Sequence, residues 1–388
     1  MDEQDRTAET EPRGYDRRRF LRNAALGAGG LTAGTMLGGL GSSASASSLP
    51  RSMTLPRAAR RGGALNVIAL PPTWANYGNI IRTFERKYGV KVNSANPNGT
   101  SAEELSAITS LKGQSNEPDV VDVAPSIANT GVAEKAFAPY KVSTWNTIPA
   151  NMKNPKGYWY GDYYGVVSFG TNLSVQKTPP RSWKELLNPR YKGQVAIDGD
   201  PRSAGDAFGA VFAAALAHGG SLDNIMPGIE FFKELKDRGN FNATDCYPAN
   251  ISKGTTPVAI VWDYLNLGYK TTPAVFAKPS DYAVVIPSDG KFGNYYCQAI
   301  SAYAPHKANA ELWEEFIYSD EGQLLYLAGF AHPARYANLA AEHKIPAALA
   351  RKLPPPSEYK GVVFPNQAQT NKAAAVLAAH WGPIMGVA

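Results

Sequence analysis

The chain has only two cysteines, Cys246 and Cys297, among 388 residues. Neither lies in a close-spaced group of Cys and His, which excludes a structural zinc site of the usual kind. Their separation leaves both a disulfide and two separate buried thiols open. No cysteine precedes Cys246, so a lipid-modified cysteine near the amino terminus is excluded. Charge is also sparse, at 19% of residues, with a net value of +6. Four of those positive charges, Arg51, Arg57, Arg60 and Arg61, sit in one short stretch, and a body this close to neutral argues against nucleic acid as a partner. The five histidines are scattered, and none has a recognisable nucleophile beside it. Gly-x-x-x-x-Gly-Lys-Ser/Thr, His-Glu-x-x-His, Gly-x-Ser-x-Gly and Gly-x-Gly-x-x-Gly are all missing, so no ATPase, zinc-protease, serine-hydrolase or dinucleotide signature is present. No cofactor is expected. The lack of a tandem repeat excludes a solenoid or propeller.

What is present begins with a leader. Residues 16 to 22 read Asp-Arg-Arg-Arg-Phe-Leu-Arg, which resembles the twin-arginine export consensus with Arg17 and Arg18 as the pair. An Ala- and Gly-rich apolar stretch runs from Ala24 to Leu40, too short and too glycine-rich for a comfortable bilayer span. Ala44-Ser45-Ala46 supplies the small-residue pattern cut by signal peptidase, so residues 1–46 read as a signal peptide and the twin-arginine translocase as a partner during export. Residues 47–63, rich in Ser, Pro and Arg, read as a flexible linker.

From Ala64 the pattern is that of alternating strands and helices. Leu65 to Leu70 predicts a buried strand, Ile80, Ile81, Phe84 and Tyr88 one face of a helix ended by Gly89, and Val90 to Asn93 a second strand. Ser101 with Glu104 matches a capping box, and Asp119 to Ala124 is a third strand stopped by Pro125. The same grammar returns with Gln194 to Ile197, an Ala-rich helix from about Gly205 to Ala217, and strands at Val258 to Trp262 and Tyr282 to Ile286. Such alternation predicts mostly parallel sheets flanked by helices, with ligands at the carboxyl ends of the strands. The end of the chain is mainly helical, with a terminal helix expected from about Asn366 to Trp381.

Several separated segments then agree with one family. Pro71-Pro72-Thr73-Trp74-Ala75-Asn76-Tyr77, Pro97-Asn98-Gly99-Thr100, Tyr158-Trp159-Tyr160-Gly161-Asp162, Trp183-Lys184-Glu185-Leu186-Leu187 and Ser319-Asp320-Glu321-Gly322-Gln323 resemble family 1 extracellular solute-binding proteins of ABC importers. Within it the likeness is to the spermidine/putrescine-type branch, neighbouring the ferric-iron and phosphonate receptors. The resemblance implies an α/β, two-lobe periplasmic-binding-protein-like fold of type II, each lobe a mostly parallel sheet flanked by helices, joined by a two-segment hinge. On that expectation residues 64–167 form lobe 1, 168–299 lobe 2, and 300–388 the return to lobe 1 with C-terminal helices. The crossings are expected near Gly165 to Asn172 and Gln298 to Pro305. The resemblance also implies a monomer, free in the periplasm or secreted, that hands a small-molecule ligand to ABC permease and ATPase subunits and is not an enzyme.

Candidate ligand residues are the loop residues Thr73, Trp74 and Ser126 after the first-lobe strands, Asp200, Arg202 and Ser203 after the Gln194 strand, and Asp263 with Tyr264 after Val258 to Trp262. Acids and aromatic faces suit a protonated amine, which carboxylates hold at its ends and rings along its methylenes, so a polyamine is expected and Asp263 is its expected anchor. Ferric iron needs hard oxygen ligands, and Tyr295-Tyr296 invites that alternative. Neighbours on one strand point to opposite faces, however, and cannot both reach one metal. A phosphonate would suit a helix N-terminus at Arg202-Ser203-Ala204-Gly205. A carboxylate pair assembled from distant loops would suit an exported hydrolase.

Overall fold

The computed structural model describes residues 51–387; the leader lies outside them. Three short strands open the fold: the buried β1 (Leu65–Ile68) and β3 (Val120–Val123) and the largely exposed edge strand β2 (Val92–Ala95), with β1 parallel to both others. After a first helix α1 (Arg51–Arg61), helix α2 (Tyr77–Tyr88) links β1 to β2 and buries Ile80 and Phe84. Gly89 closes it at φ 66°, a left-handed turn that donates its N–H to the Glu85 carbonyl. Helix α3 (Ser101–Ser110) links β2 to β3, and α4 (Pro125–Ala133) follows β3. A short β4 (Phe137–Ala138) pairs with the late strand β9 (Gly293–Ser301), which runs antiparallel to β3.

The long strand β5 (Tyr160–Asn172) joins this sheet to a second one. Its first half, to Val166, pairs with β9, while Val167 to Thr171 pairs with β7 (Val258–Trp262) and Phe169 to Asn172 with β8 (Tyr282–Val285). β6 (Val195–Ile197) lies parallel to β7 at the far side. Helix α5 (Gly205–Ala217), almost entirely buried, follows β6, α6 (Met226–Asp237) packs beside it, and the short α7 (Pro248–Lys253) and α8 (Asp263–Thr271) flank β7. The strand order is β2-β1-β3-β9-β5-β7-β6. Helices α9 (Lys307–Ile317) and α10 (Asp320–Ala328) then return to the first sheet, β10 (His332–Pro333) pairs with β5, and the C-terminal helix Gln367–Met385 seats Trp381 against Phe232 of α6.

The partner switch of β5 falls at Val166 and Val167, opposite Gly293 and Trp262 respectively. The backward crossing lies earlier than the Gln298 to Pro305 stretch: β9 is a first-sheet strand along its whole length, and the Val167 N–H already donates to Phe292 O at 3.0 Å. Gly293–Ser301, buried at every position, carries no mark in its sequence of which sheet it joins. Asp263 fastens this junction. Its Oδ1 accepts the Val166 N–H at 2.9 Å and its Oδ2 the Tyr359 hydroxyl at 2.8 Å. Gly165 is obligatory beside it, because a Cβ there would lie 2.6 Å from the Tyr264 ring.

Two other local expectations are corrected. Residues 51–61 of the supposed linker are helical, with Leu55 and Ala59 only 8% and 0% exposed, because their i, i+4 spacing puts both on one face. Arg60 Nε donates to the Tyr88 carbonyl and Asn309 Nδ2 to the Gly63 carbonyl, tying the segment down. The capping box of α3 is Thr100 with Glu103, one residue earlier than Ser101 with Glu104. Ser101 Oγ and Glu104 Oε2 instead accept the backbone N–H groups of Ala124 and Asp122. Cys246 and Cys297 are separate buried thiols. Among the described residues no helix is long and apolar enough to cross a membrane.

Placing a charge at the docked face of α1 separates a packed helix from a loose tether. Ala59→Asp is expected to cost roughly 1–3 kcal/mol in thermal or urea unfolding and to open residues 51–61 to proteolysis. An unchanged melting point would mean that the segment does not contribute to the body.

A carboxylate-lined cleft

The carboxyl ends of β1, β3 and β6 and the loops after them face a common hollow of about 140 Å³, room for a small solute. One wall carries Thr73 and Trp74 after β1, Asn98 and Thr100 before α3, Glu104 on α3, Asp122 at the end of β3, and Tyr296 of β9. The other carries Asp198 after β6, Asp206 in the first turn of α5, Tyr247, and Tyr269 of α8. No Lys, Arg or His is among these lining residues. Backbone strain concentrates at the first wall. Ala69, which lines the hollow, and Ala75 and Asn76 nearby have φ of 54°, 43° and 70°, conformations the surrounding contacts must hold. Asn76 Nδ2, for example, donates to the Leu325 carbonyl at 2.7 Å.

Asp122 is only 5% exposed, and its two oxygens are treated differently. Oδ2 accepts the hydroxyls of Tyr77 at 2.7 Å and Tyr163 at 2.9 Å, while Oδ1 is buried with no partner among the described residues. Behind it, Tyr326 and Gln298 donate to Asp162 Oδ2, so one buried network of tyrosines joins the two aspartates. Asp206, 4% exposed, repeats the pattern on the opposite wall: Oδ1 accepts the Ala207 N–H at 2.9 Å and Oδ2 has no partner. Burial without a counter-cation dictates the titration. Burial and then the Asp162 charge push the Asp122 carboxyl well above the usual carboxylate range. Burial does the same to Glu104, with Asp122 adding to it, and to Asp198, with Asp206 and Asp245 adding to it. Asp162 and Asp206 are each pushed up to about 7, again chiefly by burial.

An aromatic cage stands beside the acids. The Trp74 indole N–H donates to the Tyr163 hydroxyl at 2.7 Å, and its ring meets Tyr264 and Tyr296 edge-on at 5.9 and 5.6 Å. Tyr295 points the other way, with its hydroxyl on the Asn151 carbonyl and its ring against Trp159, so the adjacent tyrosines do lie on opposite faces.

Of the residues expected from sequence, Thr73 and Trp74 line the cleft. Ser126, Arg202 and Ser203 line a separate, neighbouring hollow against α4 and the C-terminal helix, and Arg202 pairs with Asp200 at 2.6 Å. Asp263 and Tyr264 are buried, the first at the sheet junction and the second behind Trp74. Glu104, Asp122, Asp198 and Asp206 are absent from that expectation, and Tyr296 enters it only through the pair that invites iron. An acid within the apolar run Val-Val-Asp-Val was the signal for Asp122, since a lone carboxylate on a buried strand requires a reason.

Known proteins share this architecture. Residues 116–355 match the family model for bacterial extracellular solute-binding proteins. An uncharacterized protein of Haemophilus influenzae is 27% identical over 265 residues, 63% of this chain and 70% of the relative. The periplasmic binding protein AfuA of Actinobacillus pleuropneumoniae, solved with fructose-6-phosphate, superposes with a TM-score of 0.66 at 20% identity, covering 84% of this chain and 99% of its own. Iron-bound HitA of Pseudomonas aeruginosa superposes with a TM-score of 0.61 at 18% identity, covering 82% and 99%. The fold is the two-lobe α/β fold of these periplasmic binding proteins. With the model match spanning most of the described residues, the chain belongs to the bacterial extracellular solute-binding protein family and is a solute-binding protein of the ABC-importer type.

Proposed function

We propose that the protein is an exported receptor that captures a small cationic solute, a polyamine of the putrescine or spermidine kind, between its two sheets and delivers it to an ABC permease. One observation carries the choice of ligand: four carboxylates, Glu104, Asp122, Asp198 and Asp206, line the cleft from both walls, with no basic residue among its lining. Ammonium groups supply the missing charge, and the faces of Trp74 and Tyr296 suit the methylenes between them. In this reading the first lobe is the sheet of β1–β3 and β9, the second that of β6–β8, and β5 with residues 291–293 forms the hinge. A solute gripped by both walls favours the closed form by its differential affinity. Transport energy comes from a separate ATPase, since this chain carries no phosphate loop, and Arg17 and Arg18 direct export with cleavage after Ala46.

The rival ligands meet specific obstacles. A phosphate or phosphonate in the cleft would face the carboxylates, and Arg202, in the neighbouring hollow, is engaged by Asp200. Ferric iron would call on tyrosinate, and burial followed by the Asp206 charge pushes the Tyr296 hydroxyl well above its ordinary value.

A thermal-shift panel of putrescine, spermidine, ferric citrate, 2-aminoethylphosphonate and fructose-6-phosphate tests the reading. An amine at about 100 times its Kd should add roughly 2.7 kcal/mol of stability. Asp122→Asn and Asp206→Asn should each weaken amine binding by roughly 30-fold or more, while Arg202→Ala leaves it unchanged. A shift with ferric ion or the phosphorylated compounds, and none with amines, would overturn the assignment.

A further inference from the structure

We propose that the cleft exchanges protons for its cation: the empty receptor holds protons on the inward carboxylates, and the captured ammonium group displaces at least one of them to solvent. The inference rests on the cationic-ligand reading above and concerns how that ligand is held. Its basis is the pair of unpartnered oxygens, Asp122 Oδ1 and Asp206 Oδ2, one on each wall and both buried. A buried anionic oxygen without a donor or counter-charge costs several kcal/mol, and protonation removes that cost.

The surroundings offer no other relief. Asp122 is faced by Tyr77 of α2, Glu104 of α3, Asp162 and Tyr163 of β5, and Tyr296 and Gln298 of β9. Asp206 is faced by Asp198 after β6, Asp245 and Cys246 before α7, Tyr264 and Tyr269 of α8, and Tyr296 of β9. None of these groups is a cation. The first-turn position of Asp206 on α5 favours its anion, yet burial prevails and its carboxyl titrates at about 7.

The exchange balances simply. The carboxylic O–H at Asp206 Oδ2 breaks, its proton leaves to bulk water, and an ammonium N–H donates to the anionic oxygen left behind. One positive charge enters as one departs, so the site's net charge is unchanged. Aliphatic ammonium groups keep their protons to about pH 10, so the receptor alone supplies the titration. Apparent affinity therefore falls about tenfold per pH unit, for each proton exchanged, as pH drops below about 7.

The empty protein carries the same signature. Between the unfolded carboxyl value and the raised folded value, the native state holds protons that the unfolded chain has released, so stability is present at lower pH and is lost as pH rises through about 7. His332, buried and pushed from 6.5 down to about 4, acts in the opposite sense only below its ordinary value.

Calorimetry of putrescine binding at pH 6 in buffers of different ionisation enthalpy tests the exchange. At least about 0.5 proton should be released per ligand, with Kd tightening about fivefold from pH 6 to pH 7. The ligand-free protein should melt about 2–4 °C higher at pH 6 than at pH 8, and Asp206→Asn should roughly halve that dependence, the remainder belonging to Asp162, whether or not it still binds amine. Putrescine binding with less release and a flat Kd overturns the exchange while leaving the cationic reading intact. Failure of both putrescine and spermidine to bind removes the cationic reading itself.

Discussion

The structure depends on one strand being hydrogen-bonded into two sheets. β5 belongs to the first sheet up to Val166 and to the second from Val167, and the Asp263 carboxylate pins the backbone at that step. A shared strand holds the walls of the cleft in register while leaving a single narrow place where they can turn. The acids that line the cleft sit on either side of that step: Asp122 at the carboxyl end of one set of strands, Asp198 and Asp206 beyond the end of the other.

The cleft is costly to build. Four carboxylates converge where water is scarce, and the chain compensates on one wall with hydroxyls and backbone donors. Tyr77 and Tyr163 satisfy one oxygen of Asp122, and Glu104 secures the strand that carries it by accepting the Asp122 N–H. Tyr163 also receives the Trp74 indole N–H, so the aromatic cage and the acidic wall are parts of one hydrogen-bonded unit. Two residues expected on sequence grounds at the ligand are parts of this framework: Tyr264 backs Trp74, and Asp263 fastens the step in β5.

Much of the framework was legible in the residues. Apolar runs and helical stripes locate β1, β3, β6 and β7 with the helices α2, α3 and α5, because burial imposes its period on any strand or helix that has one wet face or none. The cleft was legible only in part. Loops after strands could be named, but which of Asp198, Asp200 and Asp206 turns inward depends on the turn of the loop, not on its composition. Asp200 is taken by Arg202 two residues away, while Asp206 is carried inward on the first turn of α5. The helical state of residues 51–61 is hidden for a different reason: Leu55 and Ala59 carry the buried face, within a segment whose Ser, Pro and Arg composition reads as solvated.

The stretch around Val363 runs beside residues 291–293 as a third line of backbone at the hinge, Val363 bonding to Lys291 and Gly293, and Tyr359 reaches across to Asp263. The junction is thus completed by residues that follow both sheets in the chain. A cut between β10 and Tyr359 would therefore leave the ladders of both sheets intact and strip only the step between them of its outer backbone and of the hydroxyl on Asp263.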